Sequence, residues 1–425
     1  MKYRNRVLGL VSLLIVITYL DRVCISVAGP RIQDSLHIGP VAWGWISGIF
    51  TFAYAAFEIP SGVLGDRIGP RRVLTRIVLW WSAFTSITGL ATGYFSLLVT
   101  RLLFGVGEAG AFPNTSIVVS RWFPEPERGR AFGIILAAAQ MGGAISPLLV
   151  VPIQIRYGWR ASFYLFGTLG VVWAAIWYTW FRDSPREKSG VPQAELDEAP
   201  KPVAHAHRGL PWARALSSGN FWAVIVTAFS FIYTYNFFQT WFHTYLVKAR
   251  GFSEKELLLS SLPFVLAACA NLAGGLASHL LVPRIGLKWG RCALGVLGLA
   301  VAAVCTIAVM FTHSPTVALA LLSITYGGIT LQQPIMFAVC LDIGGPYAGA
   351  MVGVMNMAAQ LGGFLGSVVF GYLVARTGSY NVGFLPMAAL LMLGTWLWFR
   401  IDPTVPLTPL TAPIGFPASL TAQAD

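Results

Sequence analysis

Gly133-Ile134-Ile135-Leu136-Ala137-Ala138-Ala139-Gln140-Met141-Gly142-Gly143 returns 220 residues later as Gly353-Val354-Met355-Asn356-Met357-Ala358-Ala359-Gln360-Leu361-Gly362-Gly363. The shift is about half of the 425-residue chain, and both copies lie in long apolar runs. A weaker echo joins Gly62-Val63-Leu64-Gly65-Asp66-Arg67 to Gly275-Leu276-Ala277-Ser278-His279. The sequence therefore repeats in parallel, and the repeated unit is rich in membrane-length segments.

Composition agrees. The chain is 56% hydrophobic and 11% charged, with a mean hydropathy of +0.67. These values belong to a polytopic membrane protein rather than to the two or three soluble domains that the length alone suggests. Runs of roughly 20 apolar residues can cross a ~30 Å hydrocarbon core, and runs this continuous are helices. The expected spans are 7–28, 42–63, 74–93, 95–119, 130–152 and 160–181, then 221–246, 258–282, 291–312, 316–340, 347–373 and 380–400. This predicts an all-α membrane protein of twelve transmembrane helices in two six-helix pseudo-symmetric bundles, 1–181 and 221–402. A charged, Pro- and Ala-rich linker (182–220) separates them, and a Pro-rich tail (403–425) is expected to be disordered. Parallel repeats of this kind place a solute site at mid-membrane between the halves.

The net charge of +12 is not a nucleic-acid signal. With the N-terminus inside, twenty Lys and Arg fall on the cytoplasmic side and seven outside, Arg22 and Arg101 being within spans. By the positive-inside bias both termini are cytoplasmic. The basic start Met1-Lys2-Tyr3-Arg4 mimics a signal peptide, but more spans follow and it is read as the first of them. Cys24, Cys269, Cys292, Cys305 and Cys340 show no paired spacing and read as small core residues, not as a disulfide or zinc framework.

Tyr19-Leu20-Asp21-Arg22 puts an acid and a base side by side within Val7–Ala28, an otherwise apolar run. A charge at bilayer depth costs at least a few kcal/mol and normally faces a cavity with a partner. Arg22 is the candidate anion site, because a guanidinium keeps its charge and presents a planar fork to a carboxylate; the plain alternative is an ion pair with Asp21 or Glu108. Asp21 and Glu108 are candidate proton carriers. Arg101 and Glu108, two helical turns apart, share one face of their span; the plain alternative is that they only lock helices together.

Gly62-Val63-Leu64-Gly65-Asp66-Arg67-Ile68-Gly69-Pro70-Arg71-Arg72 resembles the loop motif of the major facilitator superfamily. Within it Tyr19-Leu20-Asp21-Arg22, Arg101 with Gly105-Val106-Gly107-Glu108-Ala109-Gly110, Thr240-Trp241-Phe242-His243-Thr244-Tyr245-Leu246 and Asn356 to Gly363 are similar to the anion:cation symporter family. The resemblance spans both halves, from about Tyr19 to Phe399, and the short loop after the first span favours the bacterial type. It implies a secondary active transporter of the cytoplasmic (inner) membrane, working as a monomer by alternating access. Its partners would be a small organic anion with a carboxylate and the lipid bilayer. The anion would be a sugar acid such as a hexuronate or aldonate, and protons would be the coupling ion, with no other cofactor. The resemblance assigns the anion to Arg22, matches Tyr54, Gln140, Asn356 and Gln360 to positions that read substrate hydroxyls, and gives proton coupling to Asp21, Glu108 and Arg101. Asp66, Arg67, Arg71 and Arg72 read as a conformational latch or as topology-setting charge. The polar residues have a bland alternative as interhelical hydrogen-bond partners. An exchanger or facilitator without proton symport is the alternative within the fold, and a non-transporting solute sensor a more distant one.

The chain departs from the family at His279, where an acid is usual; at His243, often Pro; at Phe337, often Trp; and at Glu58, more commonly Gln. Gln239 is an extra polar group. Gly105-x-Gly107-x-x-Gly110 fits a dinucleotide pattern but follows no strand, so it reads as helix packing. His205 and His207 read as a solvated linker pair, and Asn114-Thr115-Ser116 as an unreachable glycosylation sequon. No nucleophile–base set, metal cluster or phosphate loop stands in a plausible context, so no enzyme is expected.

Overall fold

The computed structural model describes residues 2–200 and 210–407. His205, His207 and most of the expected disordered tail lie outside the described residues.

The long helices follow the expected spans: α1 (Tyr3–Ser35), α2 (Pro40–Ile68), α3 (Pro70–Thr88), α4 in two pieces (Tyr94–Glu108 and Ala111–Trp122), α5 (Glu125–Tyr157) and α6 (Trp159–Trp180). The second set is α7 (Gly219–Thr240 and Phe242–Arg250), α8 and α9 (262–285 and 287–311, reversed at Gly286), α10 (Pro315–Leu331 and Gln333–Gly344), α11 (Ala348–Thr377) and α12 (Phe384–Arg400). Ten stretches pass a length-and-hydropathy test for crossing a membrane. That tally counts α8 and α9 as one and leaves out α3, whose first turns carry Arg71, Arg72 and Arg76.

Three sharp reversals use glycine at positive φ: Gly69 (+85°), Gly158 (+80°) and Gly286 (+83°). Only glycine holds such an angle without steric cost. At Gly69 space is also short, because an added Cβ would sit 2.3 Å from an Asp183 carboxylate oxygen. That closeness lets the Arg71 N–H donate to Asp183 Oδ1 at 2.8 Å, while its side chain donates to the Tyr178 carbonyl and stacks over the Tyr178 ring. The loop motif thus ties α3 to the end of α6.

The sequence repeat is also a packing repeat. An added Cβ at Gly142 of α5 would lie 2.4 Å from the Val16 carbonyl of α1, and one at Gly362 of α11 would lie 2.4 Å from the Phe229 carbonyl of α7. The adjacent glycines face the other half, Gly143 against Phe264 of α8 and Gly363 against Thr51 of α2. Backbones approach this closely only where side chains are absent. Gly105, Gly107 and Gly110 do likewise against Phe50, Trp80 and Ser61. Asn114 is buried and donates to the carbonyls of Ser61 and Gly110.

Three expectations need correction. Cys24, Cys292 and Cys340 are buried, but Cys269 is exposed and Cys305 half-buried, since a thiol is apolar enough for the outer face of a bundle. The tail does not begin at 403: the Leu407 N–H donates to the Ile343 carbonyl at 2.9 Å, and Asn220 donates to the carbonyls of Asp402 and Val405. The linker is not merely solvated. A short helix, Gln193–Glu198, sets the buried Glu195 carboxylate against the Tyr3 and Arg4 N–H groups at 2.9 and 2.7 Å, two of the donors that a helix start leaves unpaired. Glu198 pairs with Lys2 and Arg4, and Arg4 also with Glu127 at the start of α5.

Candidate substrate and coupling site

Consecutive residues on a helix point about 100° apart, so Asp21 and Arg22 serve different neighbours. Arg22 leans into the space between α1, α2 and α4, where its Nε donates to Glu108 Oε1. Its guanidinium carbon lies 4.7 Å from the Tyr54 ring centre, 5.2 Å from Phe50 and 5.3 Å from Tyr19. Three aromatic faces around one cation substitute in part for lost hydration. The pair is deep: the Glu108 side chain is 1% exposed and that of Arg22 14%. Arg22 Nη2 and Glu108 Oε2 have no hydrogen-bond partner. Of the two ion-pair partners weighed for Arg22, Glu108 is the one it takes.

Asp21 is buried, and among the described residues its carboxylate has no well-formed hydrogen bond, the Thr85 hydroxyl being the nearest donor that acts on it. It lies within electrostatic reach of Arg101 and Glu108. Arg101 is also buried, donates from Nη2 to Thr88 at 2.9 Å and stacks over Phe104, with Nε unpartnered. Asp21, Arg22, Arg101 and Glu108 thus form one buried charge cluster on α1 and α4. It is under-satisfied in hydrogen bonds, which native interiors seldom tolerate without a functional reason.

The four residues matched to substrate reading are divided. Tyr54 belongs to the arginine enclosure. Gln140 accepts from the Tyr326 hydroxyl at 3.4 Å, and Gln239 donates to the same hydroxyl at 2.9 Å, so α5, α7 and α10 meet there. The Asn356 amide lies 2.6 and 2.7 Å from the two oxygens of Glu58, joining α11 to α2 across the halves. Gln360 is half-buried, one turn from Asn356.

The latch residues sit apart from this cluster. Asp66 and Arg67 are at the exposed end of α2, Arg71 holds α6 as described, and Arg72 lines a cleft of about 560 Å³ with Thr75, Arg76, Leu79, Trp80 and Tyr178. The lining of this cleft comes from α3 and from Tyr178 of α6 and includes none of the four buried charged residues. In the second half Arg291 pairs with Asp342 at 3.1 Å and donates to Ser278, while His279 is exposed.

Several contributors escape a reading by residue type. Phe50, Tyr54 and Glu58 are four apart and share a helix face, a signal visible in the sequence. Tyr326 has no such cue. Gln332, at the break in α10, is buried with both amide atoms unpartnered. His243 proves to be a closure element: its ring nitrogens meet Ser26 of α1 at 2.8 Å and Ser260 at 2.9 Å. Phe337 packs half-buried against the core.

Residues 11–367 match the family described as Major Facilitator Superfamily. The chain belongs to that superfamily. It is 34% identical over 412 residues to a probable sulfoacetate transporter of Cupriavidus necator, covering 95% of this chain and 94% of the relative. It is 32% identical to a hexuronate transporter of Bacillus subtilis (87% and 88% covered) and 30% identical to a D-galactonate transporter of Escherichia coli (88% and 90%). Among solved structures, a bacterial homologue of the human lysosomal transporter Spinster superposes with a TM-score of 0.76 at 20% identity, covering 95% of this chain and 97% of that one. The chain is therefore a multi-pass membrane transporter with relatives that carry organic anions, and not an enzyme.

Proposed function

We propose that the protein imports a small organic anion with a carboxylate, together with protons, by alternating access. The observation that carries this reading is the buried Arg22–Glu108 pair inside its aromatic enclosure on α1, α2 and α4 of the first half. Arg22 takes the substrate carboxylate, displacing Glu108, and a proton on Glu108 compensates for the lost cation. Asp21 is the second proton carrier, with the fixed charge of Arg101 beside it. Tyr54, Gln140, Asn356 and Gln360 read the polar groups of the anion, while Asp66, Arg67, Arg71 and Arg72 latch one conformation. The protein acts as a monomer in the cytoplasmic (inner) membrane, with both termini inside.

Sugar acids such as hexuronates and aldonates are the substrate class we favour, supported by the similarity to a hexuronate transporter and a D-galactonate transporter. The similarity to the sulfoacetate carrier over nearly the whole chain favours a second reading, a compact anion with two acidic ends. Uptake into proteoliposomes of labelled D-galactonate, D-galacturonate and sulfoacetate, with and without an inward proton gradient, separates these. Gradient-driven accumulation of a sugar acid is expected. Accumulation of sulfoacetate alone selects the second reading, and exchange without accumulation refutes proton symport.

A further inference from the structure

The buried interior of the first half holds three carboxylates, Asp21, Glu58 and Glu108, against two guanidiniums, Arg22 and Arg101, and Glu58 faces the second half. Glu58 is 8% exposed, and its only hydrogen-bonding partner among the described residues is the Asn356 amide. Arg22 on α1 lies within electrostatic reach of Glu58, but its hydrogen bond goes to Glu108. Across the interface α11 offers Asn356, which is neutral. From α3, Arg76 reaches Ser61, nearly one turn further along α2. Neighbouring α4 contributes a further acid, Glu108. Glu58 is thus the carboxylate in excess.

Fully ionised, this set carries one net negative charge before any substrate enters. An arriving anion makes it more negative in a medium where uncompensated charge is strongly disfavoured. The anion also competes for Asn356, the donor that now solvates Glu58. Neutralising the loaded cavity therefore takes one more proton with Glu58 present than without it, whatever the charge on the anion.

We propose that Glu58 is a third proton-carrying residue, which takes up a proton as Asn356 turns to the substrate and releases it when the Glu58–Asn356 bond re-forms after the anion leaves. This rests on the proton-coupled reading above. The proton comes from the solution on the entry side and returns to solution on the exit side, so each cycle balances. Asn356 then has two acceptors in turn, Glu58 in the empty carrier and the anion in the loaded one.

The test is the zero-flux potential in proteoliposomes, with D-galactonate or sulfoacetate as probe, whichever accumulates, which gives protons per anion. Glu58→Gln keeps an acceptor for Asn356 and removes only the titration; it should lower the ratio by about one proton, whereas Glu58→Asp should keep the wild-type ratio. An unchanged ratio in Glu58→Gln overturns the proposal. A wild-type carrier indifferent to protons overturns the symport reading itself, a different result. If Glu58→Gln does not transport, infrared difference spectra of wild type and Glu58→Asp decide. A protonated-carboxyl band induced by the anion should shift between the two, and an identical band in both overturns the assignment.

Discussion

Glu108→Gln should tighten anion binding while weakening proton-driven accumulation. On the proposed mechanism Glu108 occupies an edge of the Arg22 guanidinium through Nε in the empty carrier, so an incoming carboxylate must compete with a carboxylate. Replacing it by an amide turns an ion pair, in which both partners are charged, into a hydrogen bond with only the guanidinium charged, which competes less well. The difference, on the order of 1.4 kcal/mol, predicts about tenfold tighter binding. The amide oxygen still satisfies Arg22 Nε, so the variant should fold. Arg22→Ala differs, because it leaves Glu108 buried without its cation, at about 3–5 kcal/mol, and should lose both stability and binding. Calorimetric titration of purified protein measures affinity, and proteoliposomes measure counterflow and proton-driven accumulation. Counterflow should persist in Glu108→Gln. Weaker anion binding, or accumulation at the wild-type level, would refute the competition between Glu108 and substrate.

Arg22→Lys keeps the charge but loses the planar fork and its contact with three rings, so anion affinity should fall by about tenfold or more; wild-type titrations would exclude Arg22 as the anion's fork. Gly362→Ala puts a Cβ 2.4 Å from the Phe229 carbonyl and should cost about 1–3 kcal/mol by forcing α11 from α7, read as a lower melting temperature. Glu195→Ala removes both acceptors at the start of α1 and should lower thermal stability by about 1–3 kcal/mol. Lys2 and Arg4 hold the Glu198 carboxyl below its ordinary range. A depressed carboxyl stabilises above its unfolded value and loses that effect as pH falls through the folded one. Spin-label distances between the linker and α1 should therefore hold from about pH 8 to pH 5 and lengthen only in stronger acid.

The fold was legible because membrane helices write themselves in runs of apolar residues, and because Gly142-Gly143 and Gly362-Gly363 mark equivalent close approaches. The charge cluster was legible for the converse reason, since Asp21, Arg22, Arg101 and Glu108 interrupt runs that exclude charge. What could not be read was who meets whom. Glu58 and Asn356 are 298 residues apart, and Glu195 reaches Arg4 across 191. No periodicity connects such pairs. Glu58 stood out as a departure from its family, yet its role needed the neighbour from α11. His243 likewise is only a departure from the family in the sequence, and its contacts with Ser26 and Ser260 come from the structure alone.

Alternating access requires that the links joining the halves be weak enough for a substrate to tip. Among the described residues, at the end away from the termini these links are His243 to Ser26, Gln33 to Thr244, Trp43 to the Thr240 carbonyl, Trp45 to the Tyr372 hydroxyl, Arg31 to Glu254 and Lys248 to Asp34. Nearer the buried charges they include Glu58 to Asn356 and Gln140 to Tyr326. A hydrogen bond contributes about 0.5–1.5 kcal/mol net, and exposed ion pairs no more. The six links at the far end therefore sum to a few kcal/mol, comparable to the ~5.5 kcal/mol that moves a two-state equilibrium from 1:99 to 99:1. A ligand can supply that only through contacts that differ between states. On the proposed binding mode the inner links would meet this condition, because an anion at Arg22 would compete for Asn356 and leave Glu58 in need of a proton. Loading the site would thus weaken one set of links directly, while the other set would stay within reach of the binding free energy.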